Sequence, residues 1–127
     1  MTRIKIAFPT EGDKGLDDRV FEHFGRAPFY TIVEVEDNRV VGVEVLKSTF
    51  AESHQPGMVP LFLKERGVNV IICRGIGRRA RDFLKRMGIE VIMGAEGRVG
   101  DLLEKYLEGT LESREYTPEK RWGDTLY

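Results

Sequence analysis

Two histidines and one cysteine are the side chains in this 127-residue chain best suited to hold a metal, and each stands where a predicted element gives way to a loop. His23 lies in Glu22-His23-Phe24-Gly25-Arg26, where a neutral imidazole could ligate a metal or a protonated one could face an anion. The same imidazole could equally hydrogen-bond backbone and fix the turn around Gly25. His54 precedes Pro56-Gly57 at the mouth of a predicted helix, a place that also suits capping or exposure to solvent. Cys73 ends a predicted central strand. Free cysteine is usually a buried, inert hydrophobe, whereas Arg74 and a helix start beside it could hold a thiolate. Gly75-Ile76-Gly77 leads into that helix and would offer free backbone amides to an anion, although Gly-x-Gly also serves tight turns. With a single cysteine, an intrachain disulfide and an all-thiolate cage are both impossible.

The elements that must position these groups follow from hydrophobic period and breakers. Residues 3–8 alternate charged and aliphatic side chains and read as a first strand that Pro9 stops. Residues 10–27 have no clean period and carry Gly12, Gly15 and Gly25. They form a long structured loop, which Phe21 and Phe24 should pack down. Residues 29–36 and 39–46 are rich in β-branched side chains around Asp37-Asn38, the pattern of a β-hairpin. Residues 47–55 are a polar loop, and residues 56–66 a helix with Pro60 in its first turn and Gly67 closing it. The apolar run 68–73 predicts a central strand covered on both faces. From Gly75 the apolar residues Ile76, Ala80, Phe83, Leu84 and Met87 mark one helix face, while Arg78, Arg79, Arg81, Lys85 and Arg86 form the solvated one. Residues 89–93 read as a short strand and 94–97 as a turn. A third amphipathic helix through Val99, Leu102, Leu103, Tyr106 and Leu107 ends at Gly109. Residues 112–127, with Trp122, lose periodicity and read as a charged tail after a domain spanning 1–111.

A hairpin followed by two βα crossovers gives an α/β fold: a mixed five-stranded sheet with three helices, strand two antiparallel, in the ribonuclease H-like arrangement. Strands one, three, four and five then end at one edge, where open α/β sheets place ligands. That edge collects Glu11, Asp13, Glu22, His23, Gly25 and Arg26 after strand one, and Ser48, Ser53 and His54 after strand three. It also collects residues 73–77 after strand four and 94–97 after strand five.

Composition narrows the function classes. Twenty basic residues against 21 acidic ones give a net charge of −1, so no chain-wide basic field exists to hold a nucleic-acid backbone. The longest apolar stretches fall far short of the roughly 20 residues a membrane span needs. Met1 runs straight into a strand-like segment with no signal-peptide pattern, so a cytoplasmic location is expected. No Gly-rich loop ends in Gly-Lys-Ser/Thr, and no Ser/His/Asp spacing is recognisable. Ile4-Lys5-Ile6-Ala7-Phe8 lacks the strand-one carboxylate a two-metal nuclease on this fold requires, which places metal-dependent hydrolysis last.

The stretch Asp17-Asp18-Arg19-Val20-Phe21-Glu22-His23-Phe24-Gly25-Arg26-Ala27-Pro28-Phe29 resembles the signature of the dinitrogenase iron–molybdenum cofactor biosynthesis family, the NifX/NafY-like domain also found at the end of NifB. Residues 68–77 and 88–108 look like the second half of the same domain, and the likeness covers about residues 3–111. The resemblance implies a ribonuclease H-like fold and a non-catalytic protein that binds or carries an iron–sulfur or molybdenum–iron–sulfur cluster, or its precursor, transiently. It implies cluster contact at His23 and a second histidine in a position similar to His54. On this reading His23, His54 and Cys73 are the candidate metal ligands. Gly25, Arg26, Arg74, Gly75 and Gly77 would complete the cofactor-binding rim. The expected partners are the cluster and a protein that donates or accepts it, with no nucleic acid and no membrane, in a monomer or weak homodimer. A small anionic metabolite or nucleotide at the same rim is the rival ligand, and an adaptor using the tail is a third reading.

Overall fold

The computed structural model describes residues 3–48 and 58–115. Alternation in the first strand, β1 (Arg3–Thr10), sends Ile6 and Phe8 to one face of the sheet and Ala7 to the other. β1 pairs antiparallel along its whole length with β2 (Phe29–Glu36), which pairs antiparallel with β3 (Arg39–Lys47). Asp37 and Asn38 join β2 to β3 with φ of 51° and 66°. Such paired left-handed residues match the right-handed twist of a hairpin, and Asp and Asn tolerate them best among side chains that carry a Cβ. β4 (Val70–Ile72) and β5 (Glu90–Ile92) add in parallel, giving the order β3-β2-β1-β4-β5. The carboxyl ends of β1, β3, β4 and β5 therefore share one edge, as expected from the order of elements.

Among the described residues the sheet is sandwiched by three α-helices. α3 (Val99–Glu108) covers one face, packing Val99, Leu102 and Leu103 on Ile6, Phe8, Val33, Val70 and Ile72. α1 (Met58–Glu65) and α2 (Arg78–Arg86) cover the other, with Val59, Leu63 and Leu84 against Ala7, Ile32 and Ile71. Full burial of an aliphatic side chain is worth about 1.5–3 kcal/mol, and β1, β2 and β4 each send buried side chains to both cores, β4 with all three of its residues. None of the described helices is long and apolar enough to cross a membrane.

Several local expectations change. Pro9 does not stop β1, which runs on to Thr10. The Pro9 carbonyl accepts from the Phe21 amide on the side away from β2. Its missing N–H lies on that same side, beyond the point where β4 stops pairing at Ala7, so no ladder bond is lost. Residues 10–27 contain two short 3-10 turns, Gly15–Asp17 and Phe24–Arg26. α2 starts at Arg78, with Gly77 as its N-cap in extended conformation, rather than at Gly75. β4 is shorter than the apolar run because the Val68 amide is taken by the Leu63 carbonyl at the end of α1. The start of the charged segment after α3 is pinned to the end of β5: Arg114 N–H donates to Met93 O at 2.9 Å, and Met93 N–H donates to Ser113 Oγ at 3.0 Å. Gly94 permits this approach, since a Cβ there would meet the Arg114 carbonyl at 2.7 Å. Trp122 and the rest of that segment lie outside the described residues.

Candidate functional site

The long loop after β1 is built in two halves. In the first, Asp18 is buried and its carboxylate accepts the amides of Lys14 at 2.9 Å and Arg19 at 2.8 Å. Its carbonyl takes the Val99 amide at 2.8 Å, and Val20 N–H donates to Gly97 O at 3.0 Å, which stitches this half to the β5–α3 turn. Buried carboxylates persist when backbone donors satisfy them. At the root, the hydroxyls of Thr10 and Thr31 sit 3.1 Å apart in the interior. Asp18 is thus structural, and its signal in the sequence is Asp-Asp inside a Gly-rich loop, the composition of a side-chain-capped turn.

The second half carries His23. Gly75 clasps the main chain on either side of it: Gly75 N–H donates to Glu22 O, and Phe24 N–H donates to Gly75 O, both at 2.9 Å. This makes His23 and Gly75 a parallel bridge, so the loop after β1 is tied to the chain leaving β4. Phe24 is 1% exposed and meets Tyr30 edge-on with ring centroids 5.9 Å apart. The Tyr30 hydroxyl donates to the Phe24 carbonyl from a buried position, and burial holds this phenol above its ordinary pKa range. Arg26 N–H closes the 3-10 turn onto His23 O at 3.1 Å. Phe21 and Phe24 therefore pack down as expected, Phe21 partly and Phe24 fully.

Held by its backbone, His23 leaves its side chain 35% exposed at the rim, with Nε2 3.7 Å from Glu22 Oε1 and the ring edge-on to Phe21. Partial burial lowers the imidazole pKa below its ordinary value of 6.5; Glu22 opposes this, and Arg26 and Arg74 add to it. The lowered pKa favours the neutral imidazole over the imidazolium. Arg74 stands at the same mouth, 3.8 Å from Glu96 on the loop after β5. One turn of chain further on, beyond the N-cap Gly77, α2 begins at Arg78.

The structure therefore brings His23, Arg26, Arg74 and Gly75 together, with Gly25 inside the 3-10 turn and Gly77 at the head of α2. Two expectations are corrected. The Gly75 amide is not free for an anion, because the Glu22 carbonyl already takes it. Cys73 is fully buried among Ala7, Phe24, Tyr30 and Leu84, and burial pushes its thiol up to about 12, so no thiolate is presented at the rim. Alternation decides this: the last residues of β4 point by turns to the two cores. His54 lies outside the described residues. Among the described residues no group of three or more His, Cys, Asp or Glu side chains is arranged to hold a metal ion.

Comparison with known proteins bears on the fold and the family. An uncharacterised protein of Methanocaldococcus jannaschii is 32% identical over 114 residues, covering 88% of this chain and 92% of its own. The solution structure of a Thermotoga protein proposed to be a NifB superposes with a TM-score of 0.74 at 31% identity, covering 92% of this chain and 99% of that one. The apo form of the orange protein of Desulfovibrio gigas superposes with a TM-score of 0.75 at 27% identity, covering 91% and 96%. The model of the dinitrogenase iron–molybdenum cofactor family matches residues 2–109, and the chain belongs to that family.

Proposed function

We propose that this protein is a non-catalytic carrier for an iron–sulfur or iron–molybdenum type cluster or its precursor, received at the carboxyl edge of the sheet. The observation that carries the reading is the main-chain clasp of Gly75 around His23, which leaves the imidazole 35% exposed at that edge, with the charges of Arg26 and Arg74 near enough to act on it. Imidazole is a ligand suited to iron and similar metals at the surface of a cluster, and nearby cations stabilise the negative charge such clusters carry. Iron–sulfur clusters normally take four thiolates. This chain has one cysteine, buried as a thiol, so the cargo brings its own sulfide ligands and is gripped from outside. We assign the sheet to the ribonuclease H-like arrangement on its order β3-β2-β1-β4-β5 with β2 antiparallel. Its first strand reads Ile4-Lys5-Ile6-Ala7-Phe8, without the carboxylate that metal-dependent hydrolysis would need there, which favours carriage over catalysis. The protein works in the cytoplasm, with a donor or acceptor of the cluster as its partner, and His54 is a second candidate contact.

Anaerobic reconstitution with an iron- or molybdenum-containing sulfide cluster, followed by metal analysis of the desalted protein, tests the reading. Uptake by the wild type and its loss in His23→Ala is the expected result; equal uptake by both removes His23 from the role. Thermal shift of the metal-free protein against small anions and nucleotides tests the rival ligand class, since stabilisation without metal would favour a metabolite.

A further inference from the structure

We propose that the outer face of α2 is a docking surface for an acidic protein, the donor or acceptor of the cargo; this rests on the carrier reading above. Arg78, Arg79, Lys85 and Arg86 are exposed on this nine-residue helix and have no carboxylate partner among the described residues. The contrast with other arginines is sharp. Arg3 meets Glu34 and Glu36, Arg98 meets Asp17 and Asp101, and Arg81 meets Glu115.

The fold gains little from this concentration of charge. Arg78 and Arg79 occupy the first turn, where the helix dipole favours acidic side chains, and α2 has none there. Cations one helical turn apart, such as Arg81 and Lys85, also repel each other, on the order of the 0.2–0.5 kcal/mol typical of such pairs. A chain of net charge −1 nevertheless places five of its 20 basic residues on this one helix. Arg79, Asp82, Phe83 and Arg86 line a shallow depression, with the Arg86 guanidinium 5.8 Å from the centre of the Phe83 ring. On adjacent α1, Arg66 lies 4.4 Å from the centre of the Phe62 ring. Guanidinium groups resting on partly buried rings are held in place to receive carboxylates, and the rings add apolar contact.

Position and size select the partner. α2 starts at the rim that carries His23 and Arg74, so a protein docked along it lies beside the cargo. The helix is only about 13 Å long, too short a basic track for the many phosphate contacts that give nucleic acids their affinity. An acidic protein surface needs fewer contacts, and opposite charge raises its encounter rate and fixes its orientation.

The test uses the full chain, 15N-labelled, titrated with an acidic peptide of alternating Glu, Leu and Phe, with its Gln counterpart, and with a short DNA duplex. The acidic peptide should shift α2 resonances, weaken as salt is raised, and bind K85E/R86E about tenfold less tightly. The Gln peptide should leave α2 unmoved. Equal binding by the variant, shifts confined to β3, or tighter binding of the duplex at physiological salt would each overturn the proposal. Lys85 and Arg86 lie at the end of α2 away from the rim, so the variant should take up cluster as the wild type does. A wild type that binds the acidic peptide at α2 but takes up no cluster overturns the carrier reading alone, whereas one that takes up cluster but leaves α2 unmoved by the peptide overturns this proposal alone.

Discussion

His23 and Cys73 leave the same edge of the sheet, and Gly75 adjoins both, being bridged to one and two residues beyond the other. Their side chains nonetheless live in different media. His23 stands 35% exposed among charges. Cys73 is sealed in hydrocarbon, its thiol pushed up to about 12. The difference teaches that reaching the ligand edge of an α/β sheet does not make a side chain available. The alternation of a buried strand turns Cys73 inward, whereas the Gly75 clasp on the main chain and the buried Phe24 ring hold the loop with the imidazole partly outside.

The largest expected effect breaks the clamp on the histidine side. Phe24→Ala should cost about 3–5 kcal/mol, the usual loss for a buried aromatic ring, read from urea unfolding. A loss below about 1 kcal/mol would show that Phe24 does not anchor the loop. Tyr30→Phe removes the donor to the Phe24 carbonyl and should cost about 1–3 kcal/mol, the penalty of leaving a buried acceptor unsatisfied. It should also broaden or shift the His23 ring signals in NMR, and unchanged signals would argue that the clasp by Gly75 suffices.

On the cysteine side, Cys73→Ala should cost about 1 kcal/mol and leave cluster uptake at the wild-type level. In the native protein Cys73 should resist thiol reagents until denaturant is added; rapid labelling would place the sulfur at the surface. The smallest effect is a titration. Because the folded-state pKa of His23 is lowered, the neutral form's contribution to stability is complete above the unfolded-state value near 6.5 and is lost as pH falls through that value toward the folded one. The His23 ring signals should titrate with a midpoint below 6.5. A midpoint above it would mean that Glu22, not burial, governs the imidazole.

Hydrophobic period and turn chemistry made most of the architecture legible. The apolar run at β4 marks a strand buried on both faces, Asp37-Asn38 marks the hairpin, and the spacing from Val99 to Leu107 marks α3. These are signals within a few residues of one another, and local sterics enforce them. The site was legible in part. His-Phe-Gly-Arg drew attention to the loop, and the order of elements brought it to the edge beside residues 73–77. Pro9 inside β1 was not legible, because its tolerance depends on β4 ending early, a fact held far along the chain.

The sequence by itself determined the elements, their order, and hence the edge to which His23, Arg26, Arg74 and Cys73 belong. Tertiary structure alone decided which of them face outward. The Gly75 amide is spent on the Glu22 carbonyl, the Tyr30 hydroxyl reaches the Phe24 carbonyl, and the Cys73 thiol is enclosed by side chains from β1, β2 and α2. The reason is physical: secondary structure follows from neighbours along the chain, while burial, desolvation and hydrogen-bond partners are set by groups that meet only after the chain has folded.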